Sequence, residues 1–513
     1  MATFTVTNLL DFGTGSFRQA ILDANGLGGV DEIFFDSGLS GGTINLTSGE
    51  LLITDDLAIN GLGADFLSVD AGGLSRVFNI NDGYENNFID VLIDGLTITG
   101  GNTSTYGGGI FNFSNLTVTN SIISANTANK GGGIYNYEGY LTVTNSTISS
   151  NRGSGIGHGL QSDESTNITN SSISNNFGSG IFTGRRTVVG VTDSIISGNS
   201  VGIVSYDYSS TDVINSIISN NLESGIVSTA DLSEGNNSVY VRDSIISGNG
   251  RDGIHNYATF LHVSNSSIAD NGGLGINNFA GYVYLSESTI SANISGGIIN
   301  YGFYNYRTHS GNLYVKNSTI SSNLGTGISN QDYGRVELSN STVTGNYEGI
   351  ISDYEYSHTP VIINSIIAGN INTDVRGVFR SNGFNLIGDT TGSTGFDEDL
   401  TFTSLGGISI EDVLDTNLKN NGGFTLTHAL VSGSPAIDAG AGIGVSNATD
   451  QRGEGFNRIV DGNNDSIAVI DIGAFEIQQQ PTSVPEPSSM LGLFGLVIWV
   501  TGSILRRKLQ QKL

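Results

Sequence analysis

The 513-residue chain contains no cysteine, which excludes disulfide staples and thiolate metal sites and leaves packing as the source of stability. It has one tryptophan, two methionines and five prolines, three of which fall between Pro481 and Pro487. Positive charge is scarce: 20 Lys and Arg stand against 48 Asp and Glu, a net charge of -28. Four of the basic residues, Arg506, Arg507, Lys508 and Lys512, close the chain after the single acidic Glu486, so the body before Gln480 carries about -31. So acidic a body repels nucleic acid and anionic membrane surfaces, and cations or neutral surfaces suit it better as partners. Helix-forming residues give way to 73 glycines with many Asn, Ser and Thr. Such a composition reads as disordered unless apolar residues recur at regular spacing.

They do recur. The phrase Asn-Ser-x-Ile-Ser starts at Asn120, Asn145 and Asn170, and returns with small changes at Asp193, Asn215, Asp243, Asn265, Glu287, Asn317, Asn340 and Asn364. The intervals run from 22 to 30 residues. A unit this short holds no independent core and must bury its apolar face against its neighbours. Each unit, such as Gly131 to Asn151, contains three short runs of alternating apolar and polar residues separated by Gly or Asn. Alternation in β-branched residues predicts strands with one buried face, and Gly or Asn accept the left-handed backbone of sharp corners.

Three strands and three corners in 22–25 residues predict one coil of a parallel β-helix, stacked ~4.8 Å from the next and right-handed. The fold class is therefore all-β, a single-stranded right-handed parallel β-helix with a short N-terminal capping helix and a C-terminal hydrophobic helix. Propeller blades need about 40 residues, and leucine-rich repeats need a Leu framework absent here.

Stacking predicts columns. Ile123, Ile148, Ile173, Ile196 and Ile218 form one inward aliphatic column, and Ile110, Ile134, Ile181, Ile203, Ile226 and Ile254 another. Asn126, Asn151, Asn176 and their equivalents through Asn346 mark one corner, where amides can bond to the coils above and below. At the start, Ser16 to Ala24 reads as a helix with a Ser16/Gln19 capping box and an apolar face of Phe17, Ile21 and Ala24. The organisation expected is a cap helix and irregular coils over 1–95, regular coils over 96–388, a closing segment over 389–477, a Pro/Gln/Ser linker over 478–489 and a hydrophobic helix with a basic tail over 490–513.

The phrases Asn-Ser-Thr-Ile-Ser and Gly-Gly-Gly-Ile-Tyr-Asn resemble right-handed β-helix proteins of the pectin-lyase-like superfamily, especially bacterial surface proteins related to polymorphic outer-membrane proteins. Asn420 to Leu430, with Gly433 to Gly440, Asp450-Gln-Arg-Gly453 and Asp471 to Glu476, resembles the closing domain that often precedes a cell-surface anchor in such proteins.

After Glu476 a Pro-rich linker leads to Met490–Leu505, an uncharged and mostly apolar run of 16 residues, followed by Arg506-Arg507-Lys508. With flanking residues the run is long enough for a membrane helix with a cytoplasmic C-terminus. The order Val-Pro-Glu-Pro-Ser, apolar run, Arg-Arg resembles the PEP-CTERM sorting signal of Gram-negative bacteria. The resemblance implies that Pro485, Glu486 and Pro487 form a motif read by an exosortase, a transpeptidase associated with exopolysaccharide production. It implies transient anchoring in the inner membrane, removal of the helix by processing, and delivery to the envelope, surface or extracellular matrix. It also implies a signal peptide. Met1 leads straight into the capping region without an apolar core, so coding sequence upstream of Met1 is expected.

The superfamily includes polysaccharide lyases and galacturonases, so catalysis has to be weighed. Gly157-His158-Gly159 and Asn372-Thr373-Asp374 resemble galacturonase motifs, but in reversed order and about nine coils apart, roughly 40 Å at the strand spacing. Asp55-Asp56 lies farther still from Asp374. Lyase chemistry needs a base such as Arg beside clustered acidic calcium ligands, and neither Arg185-Arg186 nor Arg307 has such a cluster nearby in sequence. No His pair has zinc spacing. No catalytic residue, metal or cofactor is expected, with Asp461 and Asp465 a weak Ca2+ candidate that reads more simply as a turn.

The candidate binding surface is aromatic: Phe113, Tyr137, Tyr257, Phe279 and Tyr301 at one repeat position, with Tyr304 and Tyr306 in a longer coil. A stack that supports a corner is the simpler reading, and a sugar-binding strip the sharper one. The expectation is an exported, non-enzymatic β-helix, adhesin-like or structural, with extracellular polysaccharide as a candidate partner. The alternative is a polysaccharide lyase or glycoside hydrolase on the same scaffold.

Overall fold

In a computed structural model the described residues are 1–84, 87–159, 165–231, 237–302, 311–352, 356–442 and 448–478. The chain forms two units, Met1–Ile477 and Gln478–Leu513. Of the second only Gln478 is described. Tyr304 and Tyr306, the motif Pro485-Glu486-Pro487, the run 490–505 and Arg506-Arg507 all lie outside the described residues. Among the described residues no helix is long and apolar enough to cross a membrane.

Among those residues the strands build three parallel sheets of 16, 16 and 15 strands, wound as a β-solenoid of right-handed type. Each coil contributes one strand to each sheet. Sheet 1 takes strands such as Tyr140–Thr144, sheet 2 Thr147–Ser149, and sheet 3 Ile156–His158. Register is kept without slippage from coil to coil. Ile123 pairs with Ile148, Ile148 with Ile173, Ile173 with Ile196 and Ile196 with Ile218, all completely buried. The column of Ile110, Ile134, Ile181 and Ile203 also forms, with Ile156 filling the place between Ile134 and Ile181. A one-residue slip would turn every such side chain to solvent, so the alternation itself locks the register.

The repeated phrase can now be read atom by atom. Its first residue turns the corner from sheet 1 to sheet 2 in the left-handed region, with φ 49° at Asn120 and Asn145 and 50° at Asp193. Asn and Asp tolerate this conformation better than other side chains with a Cβ. The Ser that follows is buried. Ser146 Oγ donates to the Thr144 carbonyl at 2.8 Å and accepts the Ser121 N–H of the preceding coil at 3.1 Å. The Ile enters the core and the flanking residues face outward.

At the next corner the predicted Asn ladder is present. Asn126 N and Nδ2 both donate to Asn151 Oδ1, at 3.0 and 3.1 Å, and the pattern continues coil by coil to Asn370. A second buried ladder, absent from the sequence reading, runs along the end of sheet 3. There Asn256 donates to Asn278 at 2.7 Å, Asn278 to Asn300 at 2.7 Å and Asn300 to Asn330 at 3.0 Å.

The helix Phe17–Asn25 caps the first coil, burying Phe17, Ala20, Ile21 and Ala24. The Phe17 ring packs 5.0 Å from Phe35 and 6.1 Å from Phe78. Half of the expected capping box forms. Ser16 Oγ accepts Gln19 N–H at 3.2 Å, but the Gln19 side chain turns forward to Asp23 instead of back to the cap.

Past the last strand, Leu400–Thr401, the chain doubles back and lies across the outer face of sheet 2. Thr289 Oγ1 donates to the Leu426 carbonyl at 2.6 Å, Ser321 Oγ meets His428 Nε2 at 2.8 Å, and Ala474 N donates to Thr342 Oγ1 at 3.1 Å.

Candidate functional site

Of the residues with catalytic appearance, His158 and Asp374 are held inside the scaffold, while Asp55 and Asp56 are half-buried. His158 is completely buried and takes the place of an Asn in the second ladder, in register with Asn136. Its Nδ1 lies 2.9 Å from the Phe182 carbonyl, which can only accept, so Nδ1 carries the proton and Nε2 accepts from Thr166 Oγ1 at 2.7 Å. Burial pushes its pKa down to about 4. Asp374 is also buried. Its Oδ1 accepts Asn370 N and Nδ2, both at 2.8 Å, and thereby terminates the Asn ladder, while Oδ2 accepts Asp389 N at 2.8 Å. Burial pushes its carboxyl up despite these bonds. Asp56 Oδ1 accepts Asp90 N at 2.8 Å, and Asp55 Oδ1 accepts Asp56 N at 2.8 Å.

The Asp461–Asp465 turn is closed by its own backbone. Asp461 accepts Asp465 N at 3.1 Å and Ser466 N at 2.8 Å, and within the turn Asn463 Oδ1 accepts Asp465 N at 2.9 Å, an Asx turn. Among the described residues no group of three or more His, Asp or Glu side chains could hold a metal ion.

The residues of the closing segment form a clasp. Gln451 Nε2 donates to Thr289 Oγ1 at 2.9 Å and Thr425 Oγ1 at 3.0 Å, and its Oε1 accepts Thr319 Oγ1 at 2.6 Å. One amide thus ties two coils to the segment that crosses them. Arg452 lies between the rings of Phe456 and Phe475, 4.0 and 3.8 Å from their centroids, and is paired with Asp450 at 2.6 Å. Arg458 is completely buried and donates to the Asp471 carbonyl at 3.2 Å and the Gly473 carbonyl at 2.5 Å, with Glu476 4.0 Å away. Three buried carboxyls, Asp450, Asp471 and Glu476, therefore face two guanidiniums. Burial pushes Asp471 up to about 6 and Glu476 up to about 9.

The aromatic residues fall into columns. Register places Tyr257, Phe279 and Tyr301 on successive coils, and Phe113 stacks on Tyr137 with centroids 5.2 Å apart. Tyr257 and Phe279 stack at 5.0 Å and 3°, Phe279 and Tyr301 at 4.8 Å and 18°. Rings stacked along the axis cover one another's faces, so a sugar lying along this column meets edges and hydroxyls, with open ring faces only at the ends.

A longer column on the outer face of sheet 1 escaped the sequence reading. Tyr240, His262, Tyr284 and Tyr314 stack at 5.0, 4.7 and 4.8 Å, beside Phe260 on Tyr282 at 5.0 Å. Its signal was available. Each residue of the longer column is the middle one of an apolar-x-apolar triplet, as in Val239-Tyr240-Val241 and Val283-Tyr284-Leu285, at intervals equal to the repeat.

Two family models match the chain. Residues 156–290 match the right handed beta helix region. Residues 483–508 match the PEP-CTERM protein-sorting motif. The chain is a β-helix with a sorting signal. That signal implies an exported protein of the cell surface or envelope, processed by an exosortase.

No curated protein matches the sequence. Solved structures with a similar course of chain include the mannuronan C-5 epimerase AlgE4 A-module of Azotobacter vinelandii, at 12% identity, 75% of this chain, 91% of that chain and a TM-score of 0.35. PfbA, a surface adhesin of Streptococcus pneumoniae, matches at 11% identity over 73% of this chain and 91% of its own, with a TM-score of 0.33. Pectate lyase Pel9A matches at 12% identity over 93% and 97%, with a TM-score of 0.25.

Proposed function

We propose that this exported β-helix acts without catalysis, as an adhesin-like or structural component of an extracellular polysaccharide matrix, and that it binds glycan on the outside of its coils. The observation that carries this reading is the outer face of sheet 1, where two aromatic columns run side by side with Tyr282 and Tyr284 each 39% exposed. A rigid scaffold that presents partly open Tyr side chains in register offers both apolar edges and hydroxyls to a polymer. The absence of turnover is part of the proposal. It is supported by the burial of His158 and Asp374, whose polar atoms are engaged in internal hydrogen bonds.

A glycan array, paired with assays for reducing ends and unsaturated uronates, tests the reading. Binding without product is the expected result. Turnover of any polysaccharide that is lost on mutating one local acid/base cluster would establish the enzyme instead. Release of a tail fragment by an exosortase-bearing host, absent after Glu486→Ala, is expected if the segment 490–513 is the transient anchor.

A further inference from the structure

The two aromatic columns of sheet 1 stop on adjacent coils. Along one, Phe260 and Tyr282 are followed in register by Asn312 and Arg335. Along the other, Tyr314 is followed by Glu337, Val361 and Arg380. Where the rings end, a groove of about 520 Å3 opens, lined by Asn312, Arg335, His358, Thr359, Val361 and Arg380. Its volume lies within the range of small-ligand sites. Tyr282 and Tyr314 are the last rings of their stacks, and the residues next in register, Asn312 and Glu337, lie at or beside the groove.

The groove's charge differs from that of the chain. Arg335 is paired with Glu337, whereas the exposed Arg380 guanidinium has no side-chain partner among the described residues. In a chain of net charge -28, the described lining of this groove holds two arginines and a histidine and no carboxylate, with Glu337 beside it in the ion pair with Arg335. A planar guanidinium without a carboxylate is suited to a bidentate anion. At physiological ionic strength screening acts over ~8 Å, so repulsion from the acidic body reaches the groove only from nearby groups.

We propose that this groove binds an acidic sugar residue of a polysaccharide, its anionic substituent on Arg380 and Arg335 and the adjoining sugars along the aromatic columns. The anion is a carboxylate or a sulfate ester, which share this chemistry. The proposal rests on the glycan-binding reading and gives it a place, a polarity along the rod and a ligand charge.

The test measures binding of the full chain at physiological ionic strength to polygalacturonate, dextran sulfate and unmodified dextran. The variants are Arg380→Ala, Arg335→Ala and Tyr282→Ala, with Arg251→Ala, an exposed arginine at the corner between sheets 2 and 3, as a control. Thermal melting of each variant separates loss of binding from loss of fold. Binding to one or both anionic polymers is expected. Arg380→Ala should weaken it about tenfold, with Arg251→Ala and all melting temperatures unchanged. Whichever anionic polymer binds identifies the anion. Anionic binding that none of the three groove variants alters would overturn the groove and leave the glycan reading standing. Equal or tighter binding of dextran would overturn the acidic class. No binding to any glycan, on these polymers or on the array, would remove both readings.

Discussion

Sheet 2 presents the same outward residues twice, in two settings. Over the coils from Ile122–Ser124 to Ser267–Ala269 its outer face is open, and residues such as Thr147, Ser149, Ser172 and Ser174 are partly exposed. From Thr289 onward the closing segment lies on it, and Thr289, Thr319 and Ser321 are completely buried. The interior is unchanged across the boundary: Ile268 pairs with Ile290 and Ile290 with Ile320, and the Asn ladder runs through. The repeat thus determines the inside of the rod, and the closing residues determine which outside faces remain available. A hydroxyl that is a neutral surface feature in one region is a buried hydrogen-bond donor in the other.

The comparison predicts where mutations should act alike and where they should not. Ile218→Ala and Ile320→Ala both empty a fully buried site, and each should cost about 2–5 kcal/mol in denaturant titrations. A much smaller cost at Ile320 would mean that the clasp, not the core, holds the covered coils.

The pH response should divide in sign. His158 has a folded pKa of about 4 against an ordinary 6.5, so the unfolded state binds the proton more readily. Stability from this group is present above pH 6.5 and is lost as pH falls toward 4, on the order of 3 kcal/mol. His158→Asn should flatten the acid limb. In the clasp, Glu476 and Asp471 are raised from 4.5 and 3.8 to about 9 and about 6. Their contribution is present at low pH and declines as pH rises through about 4 to 9. Protection from hydrogen exchange, after correction for the intrinsic base-catalysed rate, should therefore fall toward alkaline pH in peptides from 420–477 and hold in peptides from 122–269. Uniform behaviour along the rod would refute the division.

Gln451→Ala removes the amide shared by Thr289, Thr319 and Thr425, and should cost about 2 kcal/mol, with faster exchange confined to the clasp and the coils beneath it. The smallest contrast is Ser321→Ala against Ser174→Ala. The first loses the bond to His428 and should cost about 1 kcal/mol, whereas the second should stay within about 0.5 kcal/mol. Equal effects would show that the covering segment adds nothing at Ser321.

The architecture was legible in the sequence because period-two alternation and a 22–30-residue interval leave few alternatives. Ile columns, the Asn corner and the cap helix follow from those constraints. The capping box was half right, because Gln19 has a nearer partner in Asp23 than the helix start. The second ladder was hidden because His158, Thr183 and Ser205 interrupt its Asn residues, and an identity-based search stops at each. The sheet 1 aromatics were hidden because a histidine stands among the tyrosines and the spacing changes from 22 to 30 residues between Tyr284 and Tyr314. The groove at Arg335 and Arg380 could not be read at all. Its residues come from coils of unequal length, and their convergence depends on where the aromatic columns end.

The clasp also determines where tension enters the rod. Strand pairing ends at Leu400–Thr401, yet Gly473 N bonds to the Asn364 carbonyl and Ala474 N to Thr342 Oγ1, earlier coils than the last. A pull applied at Ile477 therefore bears on the flank of the solenoid. Detaching the terminal coil would be a peeling motion that breaks bonds one at a time. Loading the flank instead shears several clasp bonds at once, so the coil stack beneath carries the force collectively.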